Sequence, residues 1–187
     1  DLALLATRFL RPNPGATILY NLICSRAVPE IIAEHGGKGI RTKNGHSYMK
    51  QIMADTGAVF AGEHSGHYYF ADNYRADSGL IATMGILGEM CRTGMKLSEI
   101  RKPLERYASS GEINTTVADI GKVIAQIGRD YADHTQDHLD GLTVDCGSWW
   151  FNVRPSNTEP LLRLNLEDST RDECDTHVAE LLSVITA

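Results

Sequence analysis

From Thr17 onward the chain alternates two periodicities, and that alternation limits the folds open to it. Thr17-Ile18-Leu19-Tyr20 reads as a buried strand, and Val28, Ile31, Ile32 and His35 then form a helical stripe that stops at Gly36-Gly37. Residues 39–42 read as a second strand. Tyr48, Met49, Ile52 and Met53 make the next helical stripe, ended by Gly57, and Ala58-Val59-Phe60-Ala61 is a third short strand. Ile81, Met84, Leu87 and Cys91 repeat at helical spacing again, and residues 1–10 read as a helix cut short by Pro12 and Pro14. Strands that alternate with helices predict an α/β layer, a mostly parallel sheet covered on both faces.

The rhythm changes between residues 93 and 107. Arg92-Thr93-Gly94 and Lys102-Pro103 punctuate it, and a domain boundary is expected near residue 100, giving domains 1–100 and 101–187. Beyond it, residues 112–117 read as a strand, and Ile120, Val123, Ile124, Ile127 and Tyr131 as an amphipathic helix. Leu142, Val144 and Cys146 alternate as a strand. Leu162, Leu164 and Leu166 share one face of another, opposite Leu161, Arg163 and Asn165. Cys174, Val178, Leu181 and Ile185 stripe a terminal helix. This order predicts a small antiparallel α+β domain.

Composition excludes several classes. The chain is 42% hydrophobic and 22% charged, as in ordinary globular proteins. No apolar run is long enough to cross a bilayer, and no basic segment opens the chain as in a signal peptide, so no membrane is expected and the expected location is cytoplasmic. The four cysteines form no C-x-x-C pair and are read as reduced core residues. A net charge of −6 disfavours nucleic acid as a partner. Residues 1–107 hold 13 Lys+Arg against 10 Asp+Glu, whereas residues 108–187 hold 5 against 14. An arginine kept inside a polar loop of so acidic a segment fits either a local anion site or a surface ion pair.

Three polar segments carry candidate chemistry. Lys43-Asn44-Gly45-His46-Ser47 follows a strand and opens a helix, where outward N–H groups favour an anion. Lys43 adds a cation and His46 a titratable donor, although the pattern also fits a capped turn. Gly62-Glu63-His64-Ser65-Gly66-His67 brackets a carboxylate, a hydroxyl and two imidazoles between glycines. Glu63 and Ser65 suit sugar hydroxyls, and His67 suits phosphate contact or proton transfer. His64 and His67 are three apart, as zinc ligands can be, but Gly66 disfavours the helix that aligns such a pair. Arg154-Pro155-Ser156-Asn157-Thr158-Glu159-Pro160 lies between strands and presents a guanidinium fork, two hydroxyls and an amide in a loop stiffened by two prolines. It reads as a preformed phosphate cradle or as a rigid turn. Asp133-His134-Thr135-Gln136-Asp137-His138 is read as a hydrophilic loop despite its metal-capable residues, and no metal site is assigned in this chain.

The second and third segments together resemble the α-D-phosphohexomutase family, the phosphomannomutase/phosphoglucomutase kind. Gly62 to His67 is similar to that family's sugar-specificity loop, G-E-x-S-G-H, and Arg154 to Pro160 to its phosphate loop, R-x-S-N-T-E-P. Thr42 to Ser47 and Ser110-Gly111-Glu112-Ile113-Asn114 resemble further family segments, in the family's order, so the likeness covers essentially the whole chain.

The resemblance implies domains three and four: a Rossmann-like layer, then a small TATA-box-binding-protein-like α+β domain. It implies an isomerase of carbohydrate metabolism that interconverts hexose 1- and 6-phosphates, of mannose or glucose, through a phosphoserine and a bisphosphorylated sugar, with Mg2+ beside the serine. Glu63 and Ser65 are then expected to hold ring hydroxyls, with Lys43, His46 and His67 near the reacting or phosphate end. Arg154, Ser156, Asn157 and Thr158 are expected to grip the phosphate that stays. The family's T-A-S-H-N-P serine motif and D-G-D-G-D-R metal loop are absent. The fragment alone is therefore expected to be inactive, and its missing partner is the N-terminal domains of the same protein. Ile23 stands where relatives often place a basic residue. A phosphoglucosamine mutase and a stand-alone phosphosugar-binding module are the alternatives; a start inside a helix without Met favours a fragment over the latter.

Overall fold

The computed structural model describes residues 1–156 and 159–186. It divides into two compact units, Asp1–Arg106 and Tyr107–Ala187. Residue 100, where the sequence puts the boundary, lies inside a short helix of the first unit, α5 (Leu97–Arg101). Gly94 and Pro103 punctuate helices rather than a linker. Gly94 ends a helix in the left-handed conformation, and Pro103 sits in the 3-10 turn Lys102–Leu104. Arg106 ties the end of the unit back by bonding Glu30 and Glu34 at 2.9 and 2.6 Å.

The first unit contains α1 (Leu2–Leu10), β1 (Thr17–Asn21), α2 (Ala27–Glu34), β2 (Lys38–Thr42), α3 (His46–Thr56), β3 (Phe60–Gly62), β4 (Tyr68–Phe70), β5 (Ala76–Asp77) and α4 (Gly79–Thr93), before α5. The strand order is β2-β1-β3-β4-β5, with β2, β1 and β3 parallel and β4 and β5 antiparallel. Leu19 and Ala61 pair across β1 and β3 and pack with Met49 and Met53 of α3. Their neighbours Ile18 and Phe60 point the other way, where Phe9 of α1 stacks on Phe60 at 5.0 Å between centroids. Alternation along the strands thus gives each sheet face its own helices. The hairpin of β4 and β5 has no counterpart in the sequence reading, because strands of two and three residues show no usable period.

Helix α4 corrects the reading of Cys91 as a core residue: Cys91 is exposed, as are Ile81, Met84 and Leu87 on the same stripe, and Cys146 of the second unit is only half-buried. The buried residues of α4 are Ala82, Gly85 and Glu89. Glu89 is 1% exposed and is ringed by three arginines. Arg11 donates to both its oxygens at 3.1 and 2.9 Å, Arg92 donates at 2.9 Å and Arg8 at 3.3 Å. The hydrogen bond from Arg11, opposed by burial and reinforced by Arg92, holds the Glu89 carboxyl down at about 2, from an ordinary value of 4.5. A depressed carboxyl stabilises the fold above its unfolded value, and that stability drains away as pH falls through the folded one. Acidification from pH 4.5 to about 2 is therefore expected to cost about 3 kcal/mol through this residue. Melts of the wild type and of Glu89→Gln should converge over that interval. A gap that stayed constant with pH would exclude the cluster as the origin.

The second unit contains β6 (Ala108–Thr115), α6 (Ile120–Asp130), β7 (Thr135–Asp137), β8 (Leu142–Asp145), β9 (Trp150–Pro155), β10 (Leu162–Asp168) and α7 (Arg171–Ile185). Its sheet is antiparallel throughout, in the order β6-β10-β9-β8-β7. Leu142, Val144, Phe151, Val153, Leu162, Leu164 and Leu166 face Ile127 of α6 and Cys174, Leu181 and Ile185 of α7 in one core. Both helices start at side-chain caps: Asp119 accepts from the Lys122 amide at 2.9 Å, and Thr170 from the Glu173 amide at 3.3 Å. Residues 135–137, expected in a hydrophilic loop, form an edge strand. Gln136 anchors it by donating to the Gly128 and Tyr131 carbonyls of the preceding helix end.

Candidate functional site

The parallel strands β2, β1 and β3 deliver three loops to one edge of the first sheet, where ligands bind in open α/β folds. Asn21, at the end of β1, is buried and fastens the other two. Its Oδ1 accepts from the His64 amide at 3.0 Å, and its Nδ2 donates to Oδ1 of Asn44. Glu63 adds a second tie. One carboxylate oxygen accepts from the Gly45 amide at 3.0 Å, the other from the Tyr69 hydroxyl at 3.2 Å. Gly45 has φ of 129°, a backbone region that side chains resist, and its N–H turns toward Glu63 because of it. Burial, and next the Glu63 charge, push the Tyr69 hydroxyl well above its ordinary value, so it remains a donor. Glu63 is thus a buried brace between the loops after β2 and β3.

His46 opens α3, and its ring meets His67 edge-on at 4.5 Å and Tyr69 at 5.4 Å. Nδ1 of His67 lies 2.7 Å from Oδ2 of Asp77, whose Oδ1 accepts from the Tyr68 amide at 2.8 Å. Burial raises the Asp77 carboxyl, but the bonds from His67 and Tyr68 outweigh it and hold it below its ordinary value. An ionised Asp77 accepts only, so Nδ1 of His67 carries the proton in this contact. Asp77 was invisible in the sequence as a site residue, since only the β4–β5 hairpin brings it back to His67. Ser65 is exposed at the tip of its loop. Lys43 places Nζ over the Tyr48 ring, 3.5 Å from its centroid. Ile23 is buried, so that position supplies no cation.

The other candidate group lies in the second unit. Arg154 stands within β9 rather than in a loop, and only 6% of it is exposed. Its Nη2 donates to Glu112 at 2.9 Å, and the other Glu112 oxygen lies 3.2 Å from Nη1 of Arg163. Cross-strand pairing of Arg154 with Arg163 builds this cluster. The two guanidinium groups share the Glu112 carboxylate, and Glu159 comes within 4.0 Å of Nη2 of Arg163. Nε of both arginines is buried without a partner among the described residues. Ser156 accepts from Nη2 of Arg163 at 3.0 Å and donates its amide to the Leu161 carbonyl at 2.8 Å, which narrows the loop. Asn157 and Thr158 lie outside the described residues. Glu112, like Asp77, was given no role in the sequence reading: nothing in a β-strand pattern says which acid will face which arginine across a sheet.

His46, His67 and Asp77 offer ligand atoms within 4.8 Å of one another. Two imidazoles and one carboxylate are a borderline-soft set, unlike the oxygen shell that Mg2+ demands. These residues do not fit magnesium. No helix among the described residues is long and apolar enough to cross a membrane.

Two family models match the chain: phosphoglucomutase/phosphomannomutase alpha/beta/alpha domain III over residues 2–107, and the C-terminal domain of the same family over residues 112–183. A phosphomannomutase of Methanocaldococcus jannaschii is 40% identical over 98% of this chain, and one of Salmonella montevideo 36% identical over 88%. The chain spans 41% and 37% of the length of these two relatives. A crystal structure of a phosphoglucomutase/phosphomannomutase family protein from Burkholderia thailandensis superposes with a TM-score of 0.82 at 32% identity, over 98% of this chain and 41% of that one. The chain belongs to the phosphoglucomutase/phosphomannomutase family and carries its domain III and C-terminal domain.

Proposed function

We propose that the chain is the sugar- and phosphate-reading part of an isomerase that interconverts hexose 1- and 6-phosphates, with mannose or glucose as the sugar. The observation that carries this reading is the convergence of Glu63, His46 and the Asp77-oriented His67 at the sheet edge, beside the N-terminus of α3. That edge pairs hydroxyl acceptors with imidazole donors, as a polyol bearing a phosphate requires. In the second unit, the buried Arg154 and the neighbouring Arg163, held by Glu112 and joined by Ser156, supply a rigid phosphate contact. Asn157 and Thr158 complete that contact in this reading, and Lys43 and Ser65 lie at the rim of the first. Phosphoryl transfer is assigned to a serine and a magnesium ion held by domains outside this chain. The chain alone is then inactive, and turnover by the pure chain would overturn that assignment.

Calorimetric titration of the chain with mannose 6-phosphate, glucose 6-phosphate, free mannose and inorganic phosphate tests the reading. Both hexose phosphates should bind more tightly than either fragment molecule. Equal affinity for inorganic phosphate and hexose phosphate would remove the sugar-reading role.

Asp77→Asn should weaken hexose 6-phosphate binding about 10-fold, near 1.4 kcal/mol, because the amide no longer fixes which His67 nitrogen faces the site. Melting should change little, since Asp77 is partly exposed. A similar drop in both hexose phosphate and inorganic phosphate affinity would place His67 at the phosphate, and a drop in hexose phosphate alone at the ring.

A further inference from the structure

His46, His67 and Asp77 come from three separate places in the chain. His46 is the first residue of α3, His67 lies just before β4, and Asp77 ends β5. The two imidazole rings meet edge-on, 4.5 Å between centroids and at an interplanar angle of 65°. Nδ1 of His67 lies 2.7 Å from Oδ2 of Asp77. One nitrogen of each ring and one carboxylate oxygen thereby fall within 4.8 Å of one another. Among the described residues, no other three His, Cys, Asp or Glu side chains bring ligand atoms so close together. A histidine paired with an aspartate needs no ion to explain it. A second imidazole against the first is a different matter, because it completes a set of three donors.

We propose that His46, His67 and Asp77 form a binding site for a borderline divalent cation of the Zn2+ class, held by three side chains with water in the fourth position. Two imidazoles and one carboxylate are the donor set of zinc sites that keep one position open. Zinc bonds of about 2.0–2.2 Å set tetrahedral ligands about 3.3 Å apart. Closing to that spacing takes small side-chain rotations, and His46 is exposed while His67 and Asp77 are only half-buried. The backbone beneath them is fixed. Glu63 holds the Gly45 amide beside His46, and β4 pairs with β5 through Tyr69 and Asp77. The Tyr68 amide donates to Oδ1 of Asp77 at 2.8 Å, the kind of outer hydrogen bond that aims a ligating carboxylate. Zn2+ has no geometric preference of its own and accepts the tilt between the rings, whereas Mg2+ demands an oxygen shell. The site stands on these three side chains and not on the sugar-phosphate reading. It is also separate from the magnesium assigned to domains outside this chain.

Equilibrium dialysis of the 187-residue chain against Zn2+ should saturate at one ion per chain, and Mg2+ in about 100-fold excess should not displace it. His46→Asn should weaken Zn2+ binding at least about 100-fold, the upper end of what losing an outer partner costs. Its melt without metal should match the wild type, since His46 is exposed. Co2+ then locates the ion. The wild type should show the visible bands of tetrahedral cobalt with no thiolate charge-transfer band. His46→Cys should retain the ion and add that band, because a sulfur now stands in place of a ring nitrogen. A chain that takes up no Zn2+ would overturn the proposal, as would His46→Asn binding Zn2+ as tightly as the wild type. A thiolate band in the wild type would assign the ion to a cysteine such as the exposed Cys91 and overturn it too.

Discussion

Gly141→Ala is expected to unfold much of the second unit's sheet, at a cost of at least about 4 kcal/mol. Gly141 has φ of 72°, and a Cβ there would lie 2.3 Å from the Val153 carbonyl oxygen and 2.8 Å from Cα of Arg154. Both are backbone atoms of a central strand and have no room to move. The turn before β8 is also held by Nδ2 of Asn152, which donates to the Asp140 carbonyl at 3.0 Å, so the clash cannot be relieved by letting the turn swing away. Gly147 supplies the control. Its φ of 86° is equally left-handed, but nothing lies within 4 Å of its Cβ position. Gly147→Ala should cost only the backbone strain, about 1 kcal/mol. Denaturant melts of the two variants separate crowding from conformation, and equal losses would show that the approach to β9 is not what demands glycine at 141.

Removal of Glu112 should be nearly as severe. Glu112→Ala leaves the buried Arg154 without its counter-charge, while Arg163 keeps Glu159 at 4.0 Å, and an unpaired buried charge costs about 3–5 kcal/mol. Arg154→Ala should cost less, because Glu112 keeps Arg163 and remains partly exposed to water. Two kinds of measurement follow. In melts, Glu112→Ala should be the weaker fold of the two. In titrations with hexose phosphate and with inorganic phosphate, Arg154→Ala should reduce both affinities by a similar factor. Added phosphate should raise the melting point of Glu112→Ala more than that of the wild type, since the anion takes the place of the lost carboxylate. If phosphate stabilises both proteins equally, the arginine pair does not meet the anion.

Much of the architecture was legible from residue order. The switch from period 2 to period 3.6 around β1, α2, β2 and α3 follows from burial of one face per element: Val28, Ile31 and Ile32 of α2 and Met49 and Met53 of α3 are buried as read, whereas His35 and Tyr48, named on the same stripes, are exposed. Helix stops at Gly36 and Gly57 were legible for the same local reason, a left-handed residue after the last turn. The motifs Gly62 to His67 and Arg154 to Pro160 stood out because several hydrogen-bonding groups share a short, glycine- or proline-bounded segment. That density is a local property, so a single sequence displays it, and the family likeness rests on it.

Only the tertiary structure decided which groups answer one another. Asp77 reaches His67 through a hairpin of strands too short to show a period, and Glu112 reaches Arg154 and Arg163 through pairing of β6 with β10 and of β10 with β9. Glu63, read as a free carboxylate in a loop, is a buried brace because Gly45 and Tyr69, from two other elements, close on it. Helix α4 shows the limit most sharply. A stripe of Ile81, Met84, Leu87 and Cys91 satisfies every sequence criterion for a core face, yet α1 approaches through Gly85 and Gly88, where close contact and the Glu89 ion cluster outweigh apolar volume. Periodicity reports that a helix has two unlike faces. Which face turns inward depends on the shape and charge of the neighbour, and those exist only once the chain has folded.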